Sequence, residues 1–226
     1  GRGGTLQDWL PAQSEPSTSN LLMGLAPGSD ARRVLAVANG GPDEVRVSVQ
    51  VVTDRSVFTP KDVPDLRVPP QSTAKLNLSG VLEKLVADGD ATGLLVTATQ
   101  PVTATLRSQA DGDLSHAVAD PVVDGAATVL LPEAAAPAKT LVLAGAVKAG
   151  SVEVVARSSD GRELSTDTVD LAPDRGASLK LPDATALLTV TPRRSTVAGA
   201  VLVAGQGAAV VPLTVPALNG LVPAVA

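Results

Sequence analysis

Few side chains in this sequence stand at spacings that could do chemistry. Ser72-Thr73-Ala74-Lys75 reads S-x-x-K, the arrangement by which serine acyl enzymes such as β-lactamases bring a lysine to a nucleophilic hydroxyl on one helix face. Here it enters a stretch of alternating residues, where positions i and i+3 face opposite ways. Neither S-D-N nor K-T-G follows it. Asp111-Gly112-Asp113, with Asp120 and Asp124 downstream, offers oxygen ligands to a hard cation. Calcium takes about six to eight oxygens, and Leu114 and Ser115 occupy the place where a third loop carboxylate belongs. Asp111 and Asp113 are therefore weak calcium candidates, set against the simpler reading of a solvated turn. His116 is the sole histidine, and no G-x-S-x-G elbow exists to supply it with a nucleophile. It reads as a loop or strand-edge residue rather than a triad base. No catalytic residue, cofactor site or cofactor is assigned.

The composition closes off other chemistries. No cysteine is present, which removes disulfide frameworks and thiolate metal sites. Trp9 and Phe58 are the only aromatic residues, too few to stack sugars or single-stranded bases. Eighteen basic against 23 acidic residues give a net charge of −5, which repels a nucleic-acid backbone. With 44% hydrophobic and 18% charged residues, the 226-residue chain can bury a sizeable core.

What must position these residues is a set of short strands. Valine and alanine dominate, isoleucine is absent, and 20 Gly with 18 Pro punctuate the chain too often for long helices. Residues 1–19 lack periodicity and read as a leader or the end of an upstream unit. Arg33–Ala38 and Glu44–Thr53 are strands around an Asn39-Gly40-Gly41-Pro42 turn. In the second of them, Val45, Val47, Val49 and Val51 share one face. Val68–Leu78 holds a Pro-Pro step and then another alternating run. Gly80–Ala87 is the one plausible helix, with Leu82, Leu85 and Val86 on a side. Leu94–Thr99 and Val102–Ser108 are two further strands, followed by a polar stretch, Gln109–Asp124, and by Ala126–Leu131. From Thr196 onward there is no charge. Glycines and prolines there argue against a membrane span and for a hairpin of Val197–Ala204 with Ala208–Val215, turning at Gly205-Gln206-Gly207. Its apolarity on both faces asks for a cover, either the tail Pro216–Ala226 or a partner.

The pattern occurs twice. Leu35–Ala38 matches Leu141–Ala144, the strand from Val45 matches that from Val152, and Val68–Leu78 matches Leu171–Leu181. Ala91–Leu95 lies over Ala184–Leu188, and Gly125-Ala126-Ala127 over Gly207-Ala208-Ala209. The offset starts at about 106 and falls to about 103, about 93 and then about 82. The fold expected is all-β: two tandem antiparallel β-sandwiches, immunoglobulin-like, with at most one short helix. The first repeat spans 20–131, a linker 132–138, and the second, shorter repeat 139–226.

The segments Val37–Val49, Leu66–Leu78 and Gly93–Arg107 resemble an uncharacterised family of secreted or membrane-anchored actinobacterial proteins, a domain of unknown function. Its repeats carry a strand, an Asn-Pro-Gly-type turn, a valine-rich strand and a Val-Pro-Pro step. Gly40 stands here where proline is common, and the second copy has Gly145-Ala146-Val147 at the turn. The resemblance implies an extracytoplasmic location, secreted or anchored through a segment outside this chain, and supplies no activity.

The expectation for function is a non-catalytic structural or interaction module that binds a protein or cell-envelope polymer, with no nucleic acid, no membrane span and an open oligomeric state. The alternative is an accessory hydrolase or transferase with a carboxylate site between the domains, drawn from Asp111, Asp113, Asp174 and Asp183.

Overall fold

Valine at every second position decides the first sandwich. The computed structural model describes residues 13, 15–28, 30–110, 113–132, 138–205 and 207–215. Its first half contains β1 (Ser17–Met23), β2 (Arg32–Asn39), β3 (Val45–Thr53), β4 (Val57–Phe58), β5 (Leu66–Val68) and β6 (Ser72–Asn77). These are followed by α1 (Ser79–Ala87), β7 (Ala91–Ala110) and β8 (Asp113–Val118). Val45, Val47, Val49 and Val51 of β3 are all buried, while Arg46 points to solvent, as period-2 alternation on a half-buried strand requires.

β7 is a single strand where the sequence predicts two. Its first half pairs with β1 and β3, and its second half with β2 and β8. Gln100-Pro101 falls between the last pairing to β3, at Ala98, and the first to β2, at Thr103. The missing N–H of proline therefore costs no ladder bond, and the strand passes from one sheet to the facing one there. Between the two halves lie Leu35 and Val37, the four valines of β3, Leu94, Val96, Ala104 and Leu106. Leu82 and Val86 of α1 join them, one helical turn apart.

The second half repeats this plan. It comprises β9 (Ala127–Leu130), β10 (Ala138–Ala144), β11 (Gly150–Arg157), β12 (Glu163–Leu171), β13 (Ala177–Lys180), β14 (Leu187–Arg193), β15 (Ala198–Ala204) and β16 (Ala208–Pro212). The sheets are β12-β11-β14-β9 and β13-β10-β15-β16. Every pairing has its counterpart: β9 on β14 as β1 on β7, β10 on β13 as β2 on β6, and β16 on β15 as β8 on β7. The long strand is cut in this copy, at Arg194 with φ 63°. In place of α1 runs the short stretch 182–186, and Leu181 N–H reaches Lys139 O as Leu78 N–H reaches Arg33 O, both at 2.9 Å.

Besides β7, five expectations need correction. The strand from Val45 matches that from Gly150 and not Val152, since Val45 pairs with Val68 as Gly150 pairs with Leu171. Ser17–Ser19, read as leader, opens β1. Asp113–Val118, read as a polar loop, is β8. Ala127–Leu130, read as closing the first repeat, pairs with β14, so Gly125–Ala127 is not the counterpart of Gly207–Ala209. Leu94 corresponds to Leu188 and not Leu187, because both are buried opposite β3 and β11; a one-residue slip would turn every side chain to the other face.

The two sandwiches are stacked. Leu21, Met23 and Val52 on the outer face of the β3 sheet pack against Val142, Ala144, Ala198 and Ala200 on the outer face of the β10 sheet. This third apolar layer is what covers β15 on its second side. The expected hairpin forms, with Ala204 opposite Ala208, and its cover is the first sandwich. Residues 216–226, the other cover considered, lie outside the described residues. The result is four layers in series made from three sheets: β6-β2-β7-β8 and then β3 with β1, β4, β5 and the first half of β7, which are two parts of one eight-stranded sheet continuous through β7, then β13-β10-β15-β16, then β12-β11-β14-β9.

Candidate functional site

The outermost sheet of the first sandwich carries a trough on its solvent face. Small apolar residues make its floor because β2 alternates: Leu35 and Val37 turn inward, so Val34 and Ala36 turn outward. Register then fixes the rim. Lys75 lies opposite Ala36 on β6, and Arg107 opposite Val34 on β7; His116 lies opposite Arg107 on β8. Thr105 completes a groove of about 260 Å³. Lys75 and Arg107, with the His116 imidazole beside them, set two cations around an apolar floor on a chain of net charge −5. Such a surface can seat an extended partner with an apolar strip and acidic edges. Gln13 Nε2 donates to Thr105 Oγ1, placing the chain before β1 at one end of this face.

A second concavity, about 150 Å³, lies where Ala26–Gly28 and the end of β7 meet the β15–β16 hairpin. Ser108, Ser115 and Asp113 supply its polar lining. Asp113 Oδ2 accepts the Ala208 N–H at 2.8 Å, so this carboxylate ties the two sandwiches together.

The residues nominated from sequence are scattered. Asp111 and Trp9 lie outside the described residues. Asp174 and Asp183 are exposed in the loops on either side of β13 and do not line the concavity that holds Asp113. Asp124 is exposed as well. Among the described residues no three metal-binding side chains gather. Ser72 and Lys75 point to opposite faces of β6, with Ser72 Oγ donating to Pro69 O at 2.8 Å. His116 belongs to the trough. Phe58 sits partly exposed on the short β4.

Among the described residues three ionisable side chains are buried, two of them, Arg33 and Lys139, not singled out from sequence and the third, Asp120, considered there only as a cation ligand. Arg33 and Lys139 occupy the same position in the two repeats, at the inward-facing start of β2 and β10, and are 0% and 1% exposed. Arg33 Nη2 donates to the carbonyls of Ala26 and Gly28, both at 2.9 Å. Lys139 Nζ donates to those of Asp183 and Thr185, at 2.8 and 2.6 Å. Each cation thus closes one end of its sandwich by gathering loop carbonyls. Desolvation holds the Arg33 guanidinium below its ordinary pKa, with Glu83 opposing. The third charge, Asp120, is buried where the link between repeats crosses β1. Its Oδ2 accepts the Met23 N–H at 3.0 Å and its own N–H donates to Leu21 O at 2.9 Å. Burial raises its pKa well above the carboxylate range, and the Met23 bond only partly offsets that.

No curated protein matches. Among solved structures, the β-glucuronidase of Bacteroides uniformis is 9% identical, with a TM-score of 0.25, over 82% of this chain and 24% of that one. That of Parabacteroides merdae is 11% identical, with a TM-score of 0.22, over 83% and 26%. This chain spans about a quarter of either enzyme's length, and a likeness at this level says nothing of what it does. Among the described residues no helix is long and apolar enough to cross a membrane. Residues 3–182 match the model of a family of unknown function, DUF5719, and since that is most of the chain, this protein belongs to that family.

Proposed function

We propose that the chain is a non-catalytic, extracytoplasmic structural and interaction module. Its stacked sandwiches hold the trough at one end of the molecule for a protein or cell-envelope partner. The observation that carries this reading is the third apolar layer, in which Leu21 and Met23 meet Ala198 and Ala200. Two domains joined only by a linker move independently by default. Two domains sharing a buried layer act as one spacer, which suits a role in positioning. The trough supplies the contact surface, with Lys75, Arg107 and His116 around Val34 and Ala36.

The test is binding of the purified chain to isolated bacterial envelope fractions. The wild type should be retained, Ala36→Arg and Arg107→Glu should each lose retention about tenfold or more, and added salt should weaken binding. Equal retention of all three proteins would remove the trough from the reading. Turnover in a broad hydrolase screen that disappears in Asp113→Asn would replace the reading with the hydrolytic one.

A further inference from the structure

The two repeats are joined front to back, and among the described residues both halves of the same joint recur at the ends of the molecule with no sheet packed on them, Gln13 at Thr105 being the one contact from the chain before β1. Paired strands establish which sheets are equivalent: β2, β6, β8 and the second half of β7 correspond to β10, β13, β16 and β15. The β3 sheet corresponds to the β11 sheet. Inside the molecule the β3 sheet of repeat one packs on the β10 sheet of repeat two. The exposed β2 sheet is therefore the counterpart of a face that is docked elsewhere, and the exposed β11 sheet is the counterpart of the face that docks on it.

The counterpart of the buried joint overlaps one half of the trough, at Ala36, Thr105 and His116, and runs past it to Ala38 and Thr103. Ala36 and Ala38 stand where Val142 and Ala144 stand, Thr103 and Thr105 where Ala198 and Ala200 stand, and His116 where Val210 stands. On the other face, Leu130 takes the position of Met23. Met23 is 0% exposed because it plugs the joint; Leu130 is 76% exposed. The end faces also differ in charge. The trough has Lys75 and Arg107, with His116 beside them, whereas on the β11 sheet Glu153, Glu163 and Asp170 outnumber Arg157 and Arg193.

We infer that the trough accepts the β11 sheet of a second copy of this chain, with Leu130 entering it as Met23 enters the internal joint. This rests on the trough as the contact surface and names its occupant. The contact is heterologous, so it propagates into open head-to-tail assemblies rather than closing as a two-fold dimer. Each face measures roughly 15 by 20 Å from strand spacing and rise, which places the contact below the standard interface size and in the weak, concentration-dependent class. Within one chain the same geometry is stable because the link between repeats supplies a high effective concentration.

Sedimentation velocity from about 10 µM to about 1 mM tests it, the range in which a weak interface populates. The wild type should gain mass with concentration. Ala36→Arg, which blocks the trough, and Leu130→Asp, which blocks the opposite face, should each stay monomeric. Both sites lie on solvent-facing positions, and circular dichroism checks that the variants fold. Mixed together, the two variants each retain one working face, so they should form a one-to-one complex and nothing larger. A wild type that stays monomeric, variants that still associate, or a mixture that does not pair would each overturn the inference. If the wild type stays monomeric and the fluorescence of Trp9, the sole tryptophan, shifts in Ala36→Arg, the segment before Gln13 holds the face instead. If the wild type stays monomeric yet binds envelope fractions through the trough, the interaction reading stands and the second copy is not its partner.

Discussion

Arg33 and Lys139 are charged groups in a place built for leucine, and each is there for the carbonyls it collects. Removing a buried donor leaves its acceptors desolvated and unpaired, at about 1–3 kcal/mol each. Lys139→Met keeps the stem and removes the ammonium from two carbonyls, so stability should fall by about 2–4 kcal/mol, read as a lower urea midpoint with unchanged slope. An unchanged midpoint would mean that water replaces the ammonium. Asp120 makes a prediction of opposite character. Its folded pKa lies above the unfolded value, so the native state binds the proton more tightly. The stability from that proton is complete below the ordinary carboxylate value of about 4 and is lost as pH rises through the raised folded pKa. Asp120→Asn, which still accepts from Met23 N–H through its amide oxygen, should gain on the wild type in melting temperature as pH climbs toward neutrality. A gap that does not change with pH would place the titration elsewhere. In the sequence a lone Arg or Lys reads as surface charge. Only the alignment of Leu35 with Leu141 holds a signal, since it sets Arg33 over Lys139 at a position that alternation assigns to the interior.

Among the elements, β3 was legible because four valines at alternate positions have one explanation, and α1 because Leu82 and Val86 lie a turn apart. β7 was not, because Pro101 usually ends a strand; pairing on two different sheets makes the missing N–H harmless, and pairing is not written locally. β8 was hidden by polar residues on an edge strand, where Ser115 and Asp113 face a crevice rather than a core. β15 shows how tightly neighbouring strands approach. A methyl on Gly199 would stand 2.4 Å from Val142 O and 2.7 Å from a Leu143 methyl. The carbonyl belongs to the paired strand β10 and has little room to yield. Gly199→Ala should cost about 1–3 kcal/mol in chemical denaturation, despite the better strand propensity of alanine. A stabilised variant would show that β10 can shift outward.

At the scale of the whole molecule, the duplication was visible in the order of matching blocks, whereas the contact between copies was not. Alanines at 144, 198 and 200 look like filler in an alanine-rich chain; in the structure they let two sheets approach over Leu21 and Met23. The uncharged hairpin did signal a need for cover, but a hydrophobic face does not name what lies on it. The shared layer should make the chain unfold in one cooperative transition. Ala200→Asp puts a charge into that layer while leaving both sandwich cores intact, and it should split the transition in two and enlarge the hydrodynamic radius. A single unchanged transition in this variant would show that the repeats are coupled by something else.

The first sandwich has all its strands once Val118 has been made, but the surface that shields Leu21 and Met23 is finished only with Ala204. At roughly 5–20 residues per second, a nascent chain carries that greasy flank uncovered for about 4–17 seconds on the ribosome. A translation product interrupted in this window is a folded body with a sticky side, and chaperones that recognise apolar surface should meet it there rather than as an unfolded polypeptide.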